Sequence, residues 1–129
     1  MKKIIATLVT ICLIITACPL GLFSIAISAE TTTHTEGFYT FTVTDGNATI
    51  TDVSNDISGD VTIPSTLGGY PVTSIGDNAF QRCINLTKVT IPDALKSIGK
   101  VAFNKCSSLE VLTLGEGLQS VGGNAFADC

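Results

Sequence analysis

A cysteine returns at every 23rd position in the second half of this chain, at Cys83, Cys106 and Cys129. An Ala-Phe pair, an Ile-Gly or Val-Gly pair and a leucine keep the same step. Residues 83–105 and 106–128 are identical at eight of 23 positions. A fixed step of about 20 to 50 residues is typical of repeat proteins, in which each unit buries its apolar face against its neighbours. The repeat therefore predicts a solenoid and argues against an enzyme.

Each unit begins with a short strand. In the second unit, the residues predicted to point into the core are Leu86, Val89 and Ile91. Thr90 then points outward, because successive side chains of a strand alternate between its faces. Pro92 removes a backbone donor and ends the strand. Gly99, further along the unit, is expected to permit a tight bend.

A turn with an Ala-Phe pair closes each unit. Residues 77–80 and 123–126 are interpreted as single helical turns, with Asp77 suited to capping the first. The phenylalanines at the same step are Phe80, Phe103 and Phe126. We expect their rings to form one column that fills the core at the turn.

The region before the repeats predicts a β-hairpin. Tyr39, Phe41 and Val43 alternate with threonines, which is the period of a half-buried strand. Asp45-Gly46 is a strong signal for a two-residue hairpin turn, and residues 48–53 are expected to form the returning strand. Residues 30–37 are interpreted as a flexible lead-in and residues 55–60 as a polar loop. The hairpin would then cap the open edge of the first repeat. Residues 30–60 are thus the lead-in and hairpin cap, and residues 61–129 are the array.

The N-terminus has the pattern of a secretory signal peptide over residues 1–29. Two lysines precede an apolar run from residue 4 to 15, and small residues follow it. Cleavage is predicted after Ala29, with Ala26 as the second choice. Two alternatives remain: residues 4–29 could span a bilayer as an uncleaved anchor, or Cys18 could be lipidated at a lipoprotein-like box.

Once the segment 1–29 is removed, the chain has five basic and eleven acidic residues, a net charge of −6. An acidic surface with no basic run disfavours nucleic acid, which binds through lysine and arginine. The same charge disfavours adsorption to anionic lipid, so we expect no membrane contact after signal cleavage.

Three cysteines in an oxidising compartment would ordinarily suggest disulfides. Equivalent residues of stacked units lie about 4.8 Å apart with parallel Cβ vectors, whereas a disulfide prefers a Cβ separation of about 3.8 Å. Cys83, Cys106 and Cys129 are therefore interpreted as a column of small buried hydrophobic residues, with Cys129 at its exposed end.

These residues carry a resemblance to a known family. The matching segments are Leu86–Pro92, Ser97–Gly99, Ala102-Phe103 and Cys106, with an opening unit at Val61–Pro64 and Pro71–Gly76. This pattern resembles the BspA-type (Treponema-type) leucine-rich repeat. The resemblance implies a leucine-rich-repeat solenoid of short parallel strands. It also implies a secreted or surface-attached bacterial protein that binds host proteins, matrix components or other cells and has no catalytic activity.

The array is short for such a protein, with about three 23-residue units. We interpret it as truncated, which leaves an open apolar edge on the last unit and predicts self-association. The residues of this edge are Leu112, Leu114, Leu118, Val121 and Phe126. The alternative function is a structural N-terminal piece of a larger secreted protein or enzyme.

No catalytic, cofactor or metal site is predicted. His34 is the only histidine and lies in the lead-in, away from any fixed nucleophile. The acidic residues at 45, 52, 56 and 60 lack the spacing of a calcium loop, and turn chemistry better explains Asp45-Gly46-Asn47. The candidate binding face is Thr62, Lys88, Thr90, Val111 and Thr113. It would display a flat repeat surface to a protein or glycan, although β-propensity alone also explains its threonines.

Overall fold

A computed structural model describes residues 31–129. The predicted signal peptide, the alternative anchor and Cys18 lie outside the described residues. Ten strands follow in chain order: β1 (Thr32–Glu36), β2 (Tyr39–Thr44), β3 (Asn47–Val53), β4 (Gly59–Thr62), β5 (Thr66–Leu67), β6 (Tyr70–Ile75), β7 (Leu86–Thr90), β8 (Ser97–Ile98), β9 (Val111–Thr113) and β10 (Ser120–Val121).

The chain winds as a β-solenoid of about three turns, which we call coils: coil 1 (residues 59–82), coil 2 (83–105) and coil 3 (106–128). Two walls of the solenoid are parallel sheets. The small sheet has the order β4-β7-β9, and the large sheet continues through β3-β6-β8-β10. Ile75 pairs with Ile98 and Ile98 with Val121, so each pairing advances the chain by the step of the sequence repeat. The predicted repeat is therefore the structural repeat.

Coil 1 is the irregular one. Thr62 pairs with Thr90 at a longer step, whereas Thr90 pairs with Thr113 at the regular one. The additional length forms a small antiparallel hairpin, in which β5 pairs with β6. Gly68 and Gly69 both have positive φ at its turn, a conformation that glycine adopts without steric cost.

The predicted β2–β3 hairpin is present, and Asp45 and Gly46 both have positive φ at its turn, as a two-residue hairpin requires. β3 also pairs in parallel with β6, so the hairpin lies beside coil 1. Its role as a cap remains a prediction.

The prediction of a flexible lead-in is wrong for Thr32–Glu36, which is strand β1, antiparallel to β2. Two contacts fix it there. The His34 ring packs on Phe41 with centroids 5.5 Å apart, and the Glu36 carboxylate accepts a 2.7 Å hydrogen bond from the Gly68 N–H. The residues between Asn55 and Asp60 also differ from the predicted polar loop, because Ile57 is buried and β4 begins at Gly59.

The third wall, which we call the turn wall, consists of hydrogen-bonded turns at residues 77–82, 100–105 and 123–128. The prediction of single helical turns is wrong. Asn78 and Arg82 have positive φ, which interrupts a right-handed helix. The N–H groups of Asn78, Phe80 and Arg82 donate to carbonyls of the next coil at 2.8–3.0 Å. Asp77 does not cap its own turn; its Oδ1 accepts a 2.7 Å bond from the Lys100 N–H in the next coil.

The core consists of apolar side chains from all three walls, and no polar side chain is buried among the described residues. Leu86, Val89 and Ile91 are buried as predicted. The phenylalanine column is confirmed: Phe80 and Phe103 stack with centroids 4.6 Å apart, and Phe103 and Phe126 with centroids 5.2 Å apart.

Candidate interaction surface

The five residues predicted as a binding face all lie on the small sheet. Thr62, Thr90 and Thr113 are in register across β4, β7 and β9. Lys88 of β7 is in register with Val111 of β9. Thr62, Val111 and Thr113 are exposed, whereas Lys88 and Thr90 are half-buried. The three threonines therefore form a column, one per coil.

One polar residue of this sheet was missed by the sequence analysis. Asp60 lies opposite Lys88 in the register, and its Oδ1 accepts a 3.3 Å hydrogen bond from the Thr87 hydroxyl. The signal was present in the sequence, because Asp60-Val61-Thr62 alternates like a strand before Pro64. The small sheet therefore carries an acidic and a basic residue side by side.

A shallow groove of about 680 Å³ lies where the turn wall meets the beginning of the small sheet. Arg82, Lys105 and Asp128 occupy the same position in successive coils, and all three have positive φ. The remaining lining residues are Asn55, Ile84, Asn85 and Ser107. Sequence reasoning missed this groove, although the step of the repeat already placed Arg82, Lys105 and Asp128 in one column.

The cysteine column is confirmed, with Cys83 and Cys106 buried, Cys129 exposed and all three thiols free. The Sγ of Cys106 donates a 3.1 Å hydrogen bond to the Phe80 carbonyl, and the Sγ of Cys129 donates one of equal length to the Phe103 carbonyl. Burial raises the pKa of Cys83 to about 11 and that of Cys106 to about 12. Because only the thiolate is a nucleophile, neither thiol is suited to attack a substrate at neutral pH.

The single histidine also has a structural environment. His34 lies on β1, where its Nε2 is 2.8 Å from the Thr32 hydroxyl and its ring contacts Phe41. A Cys–His or Ser–His pair requires the imidazole beside an activated nucleophile. Within residues 31–129, no three His, Cys, Asp or Glu side chains are grouped so that they could hold a metal ion.

Comparison with known proteins agrees with this geometry. Residues 27–129 match the family described as BspA type leucine rich repeat region (6 copies). The chain belongs to the BspA-type leucine-rich-repeat family. No curated protein matches it.

Three solved structures are similar to this BspA-type protein. It is 28% identical to a leucine-rich-repeat protein of Treponema pallidum, with a TM-score of 0.68, covering 76% of this chain and 46% of that one. It is 39% identical to one from Bacteroides capillosus, with a TM-score of 0.66 and 73% of each chain covered. It is 36% identical to a leucine-rich cell surface protein of Faecalibacterium prausnitzii, with a TM-score of 0.62, covering 76% of this chain and 28% of that one.

The BspA-type chain thus spans about half the length of the Treponema protein. Over the described part of the chain, no helix has both the length and the hydropathy that a membrane span requires.

Proposed function

We propose that this chain is a secreted or cell-surface interaction module that binds a protein or glycan through its small sheet. The observation that carries the proposal is the register of Thr62, Thr90 and Thr113, which repeats the same side chain once per coil on a rigid, outward-facing wall. Solenoids bind partners along such extended faces. The relative described as a cell surface protein supports this location.

Rigidity is the physical basis of the proposed binding. Val89 and Leu112 pack behind the face, and both neighbouring pairs of strands are hydrogen-bonded in parallel. A preorganised surface loses little conformational entropy when a partner docks. Adhesion would then require no chemistry, only complementarity between the partner and the column of threonines.

The proposal predicts that Thr90→Arg combined with Thr113→Arg abolishes binding, because two long cations at the centre of the face displace a partner seated there. Binding of residues 30–129, which contain the whole described core, to immobilised matrix proteins and to intact cells would measure this. Gln119→Arg with Ser120→Arg is the matched control, since both residues are exposed and lie at the beginning of β10 of the large sheet. Equal binding by the double variant and the control would contradict the proposal.

We also propose that the chain self-associates through coil 3. Val111, Leu114 and Val121 are 47%, 50% and 49% exposed, and β9 and β10 are the last strands of their sheets. Unpaired strand edges with apolar neighbours favour pairing with another chain. The alternative function, a structural N-terminal piece of a larger secreted protein or enzyme, stays a prediction.

We expect residues 30–129 to form dimers at micromolar to millimolar concentration in sedimentation experiments. Leu114→Lys with Val121→Lys is expected to give monomers, because charged side chains on an edge oppose pairing. Ile84→Lys is the control, since Ile84 is equally exposed but lies on coil 2. A wild-type chain that stays monomeric at the highest concentration would contradict self-association.

A further inference from the structure

All five basic residues that follow the predicted signal peptide lie between Arg82 and Lys105. Only Asp93 is acidic within this interval, whereas residues 30–81 contain seven acidic residues and residues 106–129 contain three. The interval from Arg82 to Lys105 therefore has a net charge of +4, and the regions before and after it have net charges of −7 and −3. An anionic ligand is repelled by both ends of the solenoid and attracted to its middle.

Two of the five cations meet in the groove at the junction of the turn wall and the small sheet. Arg82 and Lys105 hold equivalent positions in adjacent coils, where neighbouring backbones lie about 4.8 Å apart, and the Arg82 N–H donates to the Asn104 carbonyl at 2.9 Å. Both side chains are exposed and line the groove. A carboxylate between them can accept charge-assisted hydrogen bonds from a guanidinium and an ammonium at once.

The rest of the groove combines polar side chains with apolar surface. Asn55, Asn85 and Ser107 offer both donors and acceptors, and the Asp128 carboxylate offers acceptors only. Ile84, 53% exposed, provides an apolar contact beside them. The volume of about 680 Å³ is in the range of small-ligand sites. A ligand with one acid group and several neighbouring hydroxyls satisfies this combination.

An acidic peptide fits less well, for two reasons. The backbone N–H groups of Arg82, Ile84 and Lys105 already donate to carbonyls of the protein, so the groove offers them to no added strand. Asp128 also repels a second carboxylate, whereas it accepts hydrogen bonds from sugar hydroxyls.

We propose that this groove binds a sugar acid, a sialic or uronic acid of a glycan, with Arg82 and Lys105 on its carboxylate and Asp128 on its hydroxyls. The site is separate from the face of the small sheet that carries Thr62, Thr90 and Thr113, which we call the threonine face. Either surface can therefore lose binding while the other retains it.

Titration of residues 30–129 with 3′-sialyllactose and with trigalacturonic acid tests the proposal, with lactose as the neutral control and N-acetylglutamate amide as the peptide acid. We expect at least one sugar acid to bind about tenfold or more tightly than lactose and the glutamate derivative, and this binding to weaken as salt is raised. The probe that binds shows whether the ligand of the groove is a sialic acid or a uronic acid. Equal affinity for lactose, or for the glutamate derivative, would overturn the proposal.

The Arg82→Gln, Lys105→Gln variant is expected to lose this binding by about tenfold or more. Lys96→Gln with Lys100→Gln removes the same charge from coil 2 outside the groove and is expected to bind like the wild type. All four residues are exposed, so the thermal unfolding temperature should not distinguish the two variants. Equal loss in both variants would overturn the groove assignment, and the threonine-face variants should leave sugar-acid binding unchanged.

Discussion

Replacing Phe103 with alanine is expected to lower the free energy of unfolding by about 3–5 kcal/mol. Phe103 is fully buried and stacks on Phe80 at 4.6 Å and on Phe126 at 5.2 Å. The substitution leaves a cavity between two rings that the backbone bonds between coils hold in place, which limits collapse around it. A small domain has a total stability of about 5–15 kcal/mol, so the loss is a large fraction of the total.

Urea denaturation followed by circular dichroism would measure the loss. Phe126→Ala is the comparison within the column, because its ring has one phenylalanine neighbour and is only partly buried; we expect a smaller loss. Phe38→Ala is the surface control, since Phe38 is 50% exposed and its change should stay within about 0.5 kcal/mol. A Phe103 variant as stable as the Phe38 variant would show that the column does not support the fold.

Replacing Gly99 with alanine is expected to destabilise the protein by about 3 kcal/mol or more, at the upper end of overpacking effects. A Cβ at Gly99 would lie 2.5 Å from the Asp77 backbone nitrogen and 2.5 Å from the Gly76 carbonyl carbon. Neither atom can move easily, because backbone hydrogen bonds hold the residues around it. The Gly76 N–H donates to the Ile50 carbonyl, and the Asn78 N–H donates to the Lys100 carbonyl. The clash would therefore separate coil 1 from coil 2.

Gly123→Ala is the matched control for this prediction. A Cβ there would meet nothing within 4 Å, and Gly123 does not have positive φ. Alanine at such a position is expected to be neutral or slightly stabilising, because it restricts the unfolded chain. Thermal and urea unfolding of both variants would decide; equal stability of the two would mean that the coils can separate at Gly99 without cost.

The constant step in the sequence was sufficient to predict the solenoid, the phenylalanine column and the cysteine column, because each depends only on stacking equivalent residues. The turn wall was not predictable in the same way. Asp77-Asn78-Ala79-Phe80 has the local pattern of a helical turn, but Asn78 adopts positive φ so that alternate N–H groups reach the next coil. Tertiary hydrogen bonds override local propensity there.

The role of a glycine is likewise set by tertiary contacts that the local sequence does not show. Gly99 was predicted to permit a bend, yet its φ is not positive, and the structure requires a glycine because two coils approach closely there. A sequence shows that a glycine is present but not which of these reasons applies.

Of the two candidate surfaces, the face of the small sheet could be predicted from the sequence, whereas the groove could not. The threonine face follows from strand periodicity within each coil. The groove combines residues of three coils with Asn55, which comes from the segment before β4. No local pattern places Asn55 beside Lys105, because that proximity depends on the path of the irregular first coil.

The hydrogen bonds between coils run along all three walls, roughly parallel to the long axis of the solenoid. A pulling force on the two ends would be carried by the bonds between neighbouring coils, and one pair of coils would separate first. Failure of that pair would release one whole coil at once, which extends to roughly 80 Å. The molecule would therefore resist small forces as a stiff rod and yield to larger ones in discrete steps.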